Sequence, residues 1–176
     1  MLHGVTLSDP NGAFLDAPRV ELDWWPLAWL SNRLDIDRLS IPLARLHKLP
    51  RLNPAKQEGP ILPGFDIRVM QFSVDRLLID KRVSGRAQTA TLSGDADIRG
   101  GRAVIDLSAR ALDGEDAINI ALDSRPDDDR FDLDVTLNAP KGGVLAAMAG
   151  LRQDGNLRIR GKGSWTRWDG RLAGTL

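Results

Sequence analysis

Apolar and polar residues alternate with a period of two along most of the chain, a pattern typical of strands with one dry and one wet face. The clearest run covers residues 130–138, and its apolar members are Phe131, Leu133, Val135 and Leu137. Similar alternation recurs at 20–24, 34–37, 65–69, 92–99, 105–108, 118–123 and 156–160. The pattern predicts an all-β protein with roughly ten strands.

Turn-forming residues separate these runs, at 9–12 (DPNG), 99–101 (RGG), 113–116 (DGED) and 126–129 (PDDD). Because a parallel return needs about a dozen residues or more, strands joined this closely are predicted to pair as an antiparallel meander. The chain divides into a strand–helical turn–strand unit at 1–46, a proline-rich loop at 47–64, and an antiparallel meander at 65–176. The loop contains Pro50, Pro54, Pro60 and Pro63 and is expected to be exposed and irregular.

The alternation changes phase at two places. Apolar positions move from even to odd numbers within 34–41, and from odd to even within 69–74. A bulge or short kink would return the apolar side chains to one face. The segments 35–41 and 73–79 also resemble each other, which indicates a shared strand-and-kink unit.

Two short helical segments interrupt the strands. Residues 25–30 place Pro26 early, where a helix tolerates it, and the alanine-rich stretch at 143–151 ends near Gly150. Neither is long enough to be stable alone, so each must pack on an apolar surface. The second is expected to pack against the dry face of the sheet.

The dry face is the candidate functional surface, and no long amphipathic helix is present to cover it. Two alternatives stay open: an ordinary core packed against a second sheet, or a curled, elongated trough that holds flexible apolar ligands such as acyl chains. Small residues at Gly94, Ala96, Ala109, Gly161 and Gly163 either leave room for a ligand or mark close packing and bends. The apolar positions predicted to face the interior are Val20, Leu22, Leu34, Ile36, Ile67, Val69, Leu92, Ile98, Ile105, Leu107, Ile118, Ile120, Leu122, Phe131, Leu133, Val135, Leu137, Leu157 and Ile159.

Composition limits the chemistry. The 176 residues carry 24 basic and 24 acidic side chains, so no basic field is present to attract nucleic acid. Cysteine is absent, which excludes disulfides, thiol catalysis and thiolate metal sites. The acidic run 127–129 lacks the spacing of a calcium loop, and the glycines do not form a phosphate loop before a helix. His47 has no evident partner, and Asp132 and Asp134 are interpreted as wet-face residues, so we expect no enzyme activity, metal or cofactor.

Neither a signal peptide nor a stretch of about 20 apolar residues is visible, so the chain as given is not expected to cross a bilayer. Trp24, Trp25 and Trp29 have two interpretations. They could lie at a membrane interface, or they could cap one end of the apolar interior. The second is preferred, because Leu27 and Leu30 share that turn.

Several segments, in order and spacing, resemble the N-terminal region of the TamB family, the inner-membrane subunits of the bacterial translocation and assembly module. They are 7–15 (LSDPNGAFL), 20–30 (VELDWWPLAWL), 34–39 (LDIDRL), 137–145 (LNAPKGGVL) and 161–170 (GKGSWTRWDG). The resemblance extends over nearly the whole chain and rests on the series of segments, since none is diagnostic alone.

The resemblance implies a role. Members of this family are similar to AsmA-like proteins and to bridge-like lipid transfer proteins, with a long apolar β trough that extends through the periplasm from an inner-membrane anchor. The chain would then be a fragment whose trough contacts phospholipid acyl chains and carries them from the inner to the outer membrane. It would also support outer-membrane protein assembly beside an outer-membrane barrel partner. The alternative is a structural or chaperone-like β module that binds outer-membrane protein strands without moving lipid.

Overall fold

The computed structural model describes residues 1–50, 62–164 and 167–175. These residues form one sheet of ten strands whose spatial order is the chain order. The strands are β1 Leu2–Asp9, β2 Gly12–Trp24, β3 Arg33–Leu46, β4 Asp66–Ile79, β5 Gln88–Arg99, β6 Arg102–Ala111, β7 Ala117–Arg125, β8 Arg130–Ala139, β9 Gly155–Gly163 and β10 Trp168–Thr175. The sheet does not close, because β1 and β10 each pair on one side only among the described residues. The all-β, curled meander is therefore confirmed.

The meander is antiparallel except at one step. β3 and β4 run parallel, with Leu34 beside Ile67 and Leu46 beside Ile79. The connection from Leu46 to Asp66 is long enough for a parallel return, which the sequence-based expectation of antiparallel pairing did not allow for. The parallel pair joins residues 1–46 and the later meander into one sheet. Of the predicted loop, Pro50 and Pro63 are exposed and lie outside any strand, and residues 51–61 lie outside the described part.

Both predicted phase changes are present in β3 and β4. The inward positions skip from Ile36 to Leu39 and, at the same level of the neighbouring strand, from Val69 to Phe72. A second change of phase occurs at one level in both strands and was not predicted. The inward positions move from Ile41 to Ala44 in β3 and from Val74 to Leu77 in β4. The similar segments 35–41 and 73–79 each contain one of these skips, at an Asp-Arg pair between two inward apolar residues. The irregularities keep the apolar side chains of these long strands on one face.

The described helices are short. A 3-10 helix at Pro26–Ser31 joins β2 to β3, α1 covers Lys81–Ser84, a 3-10 turn covers Pro126–Asp128, and α2 covers Val144–Ala149. The first and the last were predicted. The α1 turn was not, although its signals are local. The Asp80 carboxylate accepts a 2.9 Å hydrogen bond from the Arg82 backbone N–H, and Gly85 ends the helix in the left-handed conformation at φ 81°.

A cluster of buried apolar residues lies along one margin of the sheet, which we call the helix margin. There α2, which follows β8, contacts α1, which follows β4. Val144 of α2 belongs to a buried cluster that also contains Ala17, Val20, Ala44, Val74, Leu77, Ile79 and Ala90. Elements attached to strands four positions apart meet only if the sheet curls between them. The opposite margin, which we call the turn margin, carries the 3-10 helix at Pro26–Ser31 and the Gly100-Gly101 turn.

Candidate functional site

The predicted interior residues lie together on one face, in continuous rows that cross the strands. Paired residues of neighbouring strands point to the same side of a sheet, so the register defines each row. One row runs through Leu22, Leu39, Phe72, Gly94, Leu107, Ile120, Val135, Ile159 and Leu172. The next row towards the turn margin runs through Trp24, Ile36, Val69, Ala96, Ile105, Leu122, Leu133, Gly161 and Gly170.

Two further rows flank this pair. On the helix-margin side the row contains Ile41, Val74, Leu92, Ala109, Ile118, Leu137, Leu157 and Gly174. On the turn-margin side it contains Leu34, Ile67, Ile98, Ala103, Ser124, Phe131, Gly163 and Trp168. Val20, which pairs with Leu2, completes the predicted set. Every predicted position therefore lies on the apolar face.

This face has no opposing layer among the described residues. Of the predicted positions only Val20 and Ile36 are buried, and the others are half-buried. The chain contains no large side chain that is fully buried, within the described residues. A closed sandwich would bury such side chains between two sheets, so the geometry is that of an open apolar trough.

The sequence pattern missed part of the lining. Leu39, Ile41, Phe72, Val74 and Leu77 lie on the same face beyond the phase changes, and following those changes along the strands would have found them. Strand β10 contributes Trp168 and Leu172. Its alternation of tryptophan, glycine, leucine and glycine is a usable but weaker signal.

Some of the small residues do not leave free space in the trough. A Cβ at Gly161 would overlap the Trp168 ring, which lies over Gly161 and Gly170 and contacts the Phe131 ring at a centroid distance of 6.5 Å. A Cβ at Gly94 would overlap the backbone carbonyl of Asp106 on the neighbouring strand. At these two positions glycine allows close packing, which is the second of the two interpretations made from the sequence.

At the helix margin a buried carboxylate fixes α2. Asp116, in the β6–β7 loop, accepts a 2.9 Å hydrogen bond from the backbone N–H of Leu145 in the first turn of the helix. Gly143 permits this contact, since a Cβ there would overlap the Asp116 carboxylate. As predicted, α2 packs on the apolar lining, through the buried residues Val144 and Ala146. The helix covers only this margin of the trough.

The outer face carries cross-strand ion pairs. Arg102 donates to Asp123 at 2.8 and 2.6 Å, and this contact keeps the pKa of the Asp123 carboxyl below its usual range. Hydrogen bonds from Arg160 and then Arg158 lower the pKa of Asp134 in the same way. The predicted wet-face role of Asp134 fits these contacts, which hold neighbouring strands in register.

The remaining candidate chemistry does not converge on a site. The Nε2 of His47 lies 2.7 Å from Asp16, whose pKa is lowered by hydrogen bonds from His47 and from Thr6. This contact ties the β1–β2 hairpin to the end of β3. The described residues contain no group of three or more histidine, cysteine or acidic side chains arranged to hold a metal ion. No helix among them has the length and apolar character needed to span a membrane.

The preferred interpretation of the three tryptophans holds only in part. Trp24 lies in an inner row beside Ile36 and the Trp29 ring contacts Phe65, whereas Trp25 is exposed and its indole donates to Asp37. We call Trp25 and the 3-10 helix Pro26–Ser31 the Trp turn. Its side chains at Trp25, Leu27, Trp29 and Leu30 are exposed, and only Ala28 is buried. Leucines that point to solvent do not cap the apolar interior. The reason is the 3-10 geometry between two paired strands, which turns the small Ala28 inward and the large residues outward.

Comparison with family models, with curated proteins and with solved structures gave no match in any of the three.

Proposed function

We propose that this chain is a segment of a periplasm-spanning protein whose apolar β trough carries phospholipids from the inner to the outer membrane and supports outer-membrane protein assembly. The single observation that supports lipid binding is the set of apolar rows that cross the sheet without an opposing layer in the described part of the chain. The direction of transfer, the periplasmic location with an inner-membrane anchor, and the barrel partner come from the resemblance to the TamB family alone.

The dimensions and chemistry of the trough suit an acyl chain. A row from β2 to β10 is about 40 Å long at ~4.8 Å per strand, whereas one acyl chain extends about 15 Å, half of the bilayer hydrocarbon core. Removing each methylene group from water contributes roughly 0.8 kcal/mol without any directional contact. An aliphatic lining without polar anchors therefore binds flexible chains and permits them to slide.

The experiment compares bound lipid in matched variants. Leu133→Asp with Leu137→Asp places two charges on the inner face of β8, where acyl chains would lie. Thr136→Asp with Ala173→Asp adds the same charge on the outer face, beside Arg158, and is the control. Native mass spectrometry of the purified chain should find phospholipid on the unmodified chain and on the control, and none on a folded inner-face variant. Equal lipid content in the two variants would refute the proposal.

A second function is favoured by a different observation. Among the described residues β10 pairs on one side only and residues 169–175 are exposed, and an unpaired strand edge can accept an added strand. The alternative is a structural or chaperone-like module that binds outer-membrane protein strands. Capture of an unfolded barrel precursor by the lipid-depleted chain, unaffected by the inner-face substitutions, would favour this second function over lipid transport.

A further inference from the structure

The Trp turn exposes large apolar side chains at the turn margin of the trough. Trp25 is 61% exposed, Leu27 70%, Trp29 58% and Leu30 83%. Met70 of β4 is exposed beside them and lines the same hollow as Trp25 and Leu27. A cluster of exposed apolar side chains on this short turn is unfavourable in water unless another surface covers it.

Several contacts hold the backbone and the tryptophans of the turn in this conformation. Pro26 fixes the first helical residue, and Asn32 ends the helix in the left-handed conformation at φ 56° while its side-chain amide donates to the Gly64 carbonyl at 3.0 Å. The Trp25 indole donates to Asp37 at 3.1 Å, and the Trp29 ring meets the Phe65 ring edge-on at 5.8 Å. Since little conformational entropy remains to be lost, contact with a partner would be favourable at low cost.

Charged residues of both signs lie behind the apolar tip. Trp25 and Met70 line a hollow of about 350 Å³ that also contains Arg33, Arg68 and Asp35. Among the described residues, neither arginine forms an ion pair. The exposed tryptophan and leucine side chains would contact the acyl chains of a bilayer, and the charged residues beside them would contact its zwitterionic head groups.

We propose that the Trp turn inserts into the interfacial layer of a phospholipid bilayer and seats the turn margin of the trough on that surface. A protein partner is the less suitable occupant, because a stable interface buries about 800 Å² on each side and needs a complementary surface wider than one short turn. A fluid bilayer adapts to the tip. If the proposed function is correct, this contact would let lipid pass from the bilayer into the trough. The docking of the Trp turn on the bilayer does not depend on the proposed function.

The test uses the whole chain and vesicles of phosphatidylethanolamine with phosphatidylglycerol. The unmodified chain should float with the vesicles. Leu27→Asp with Leu30→Asp should bind at least about tenfold more weakly, because two exposed leucines that would enter the bilayer are replaced by charges. Leu112→Asp with Met148→Asp is the matched control, since both residues are exposed near the helix margin. The control should float as the unmodified chain does.

Three results would overturn the proposal: no flotation of the unmodified chain, equal flotation of the Leu27 and Leu30 variant, or an equal loss in the control. Circular dichroism would establish that each variant is folded. Measuring co-purified lipid on the same samples separates the two proposals. The Trp-turn variant should keep its bound lipid, whereas Leu133→Asp with Leu137→Asp should lose lipid and still float. Self-association through the turn, without vesicle binding, would assign the surface to a second copy of the chain instead.

Discussion

At the residue scale, the positions that matter most are small or polar groups whose importance depends on contacts distant in sequence. Asp116 appears in the sequence as one acid of a DGED turn, and Gly143 as part of a flexible linker. In the structure the two lie against each other, and the Asp116 carboxylate satisfies the Leu145 backbone N–H. No local pattern predicts this pairing, because the two segments are joined only through β7 and β8.

Replacing Asp116 should loosen the helix margin. We expect Asp116→Ala to lower the free energy of unfolding by about 1–2 kcal/mol, because the first turn of α2 loses its capping acceptor. Urea denaturation followed by circular dichroism measures the change. Asp113→Ala, at an exposed position of the same loop, is the control and should leave the midpoint unchanged. An Asp116 variant as stable as the control would show that α2 is held by packing alone.

At the element scale, each strand combines an apolar inner face with a charged outer face, and the two faces stabilise different features. The inner rows drive curling and burial, whereas the ion pairs link adjacent strands in register. Arg102 with Asp123 joins β6 to β7, and Asp134 with Arg160 joins β8 to β9. Because these carboxylates have lowered pKa values, their contribution to stability depends on pH.

The sign of that dependence follows from the lowered pKa of Asp134 in the folded state. The stability that Asp134 contributes is fully present above the unfolded value of about 3.9, and it is lost as the pH falls through the folded-state pKa. Asp134→Asn should therefore destabilise the chain at neutral pH and make the thermal midpoint less sensitive to acid below about pH 4. Thermal melts across this range measure the effect, with Asp75→Asn on an exposed position of β4 as control. An unchanged acid dependence would contradict this role of the Asp134 ion pairs.

At the scale of the whole molecule, the asymmetry of the two margins determines what the trough can contact. The helix margin is covered by α1 and α2, whereas the turn margin carries the exposed Trp turn. The proposed lipid binding and the proposed bilayer contact therefore involve different surfaces of one sheet, and substitutions can separate them.

Maleimide labelling of single-cysteine variants, with and without oleate, shows which face of the sheet a ligand covers. The chain has no cysteine of its own, so only the introduced thiol reacts. Ile120 and Asn119 are neighbours on β7, the first on the inner face and the second on the outer face. The thiol of an Ile120→Cys variant should react with a water-soluble maleimide about tenfold more slowly when oleate is present at about ten times its Kd, since only the free protein reacts. The thiol of an Asn119→Cys variant should react at the same rate with and without oleate. Equal protection at both positions would show that oleate does not occupy the trough.

The local sequence determined the strands and the identity of the inner face. Alternation is a property of neighbouring residues, so every predicted interior position lies on the apolar face, and both predicted phase changes are present. The two predicted helical segments also form near the expected positions, because proline and glycine act on the local backbone.

Only the tertiary structure decided how these elements are arranged. The parallel β3–β4 pair, the contact of α1 with α2, the Trp168 ring over Gly161 and the outward Trp turn each depend on residues far apart in sequence. The period of two specifies which side chains share a face, but not what lies opposite that face. Whether the apolar rows meet a second layer is determined by the curvature of the whole sheet, a physical property that no short segment encodes.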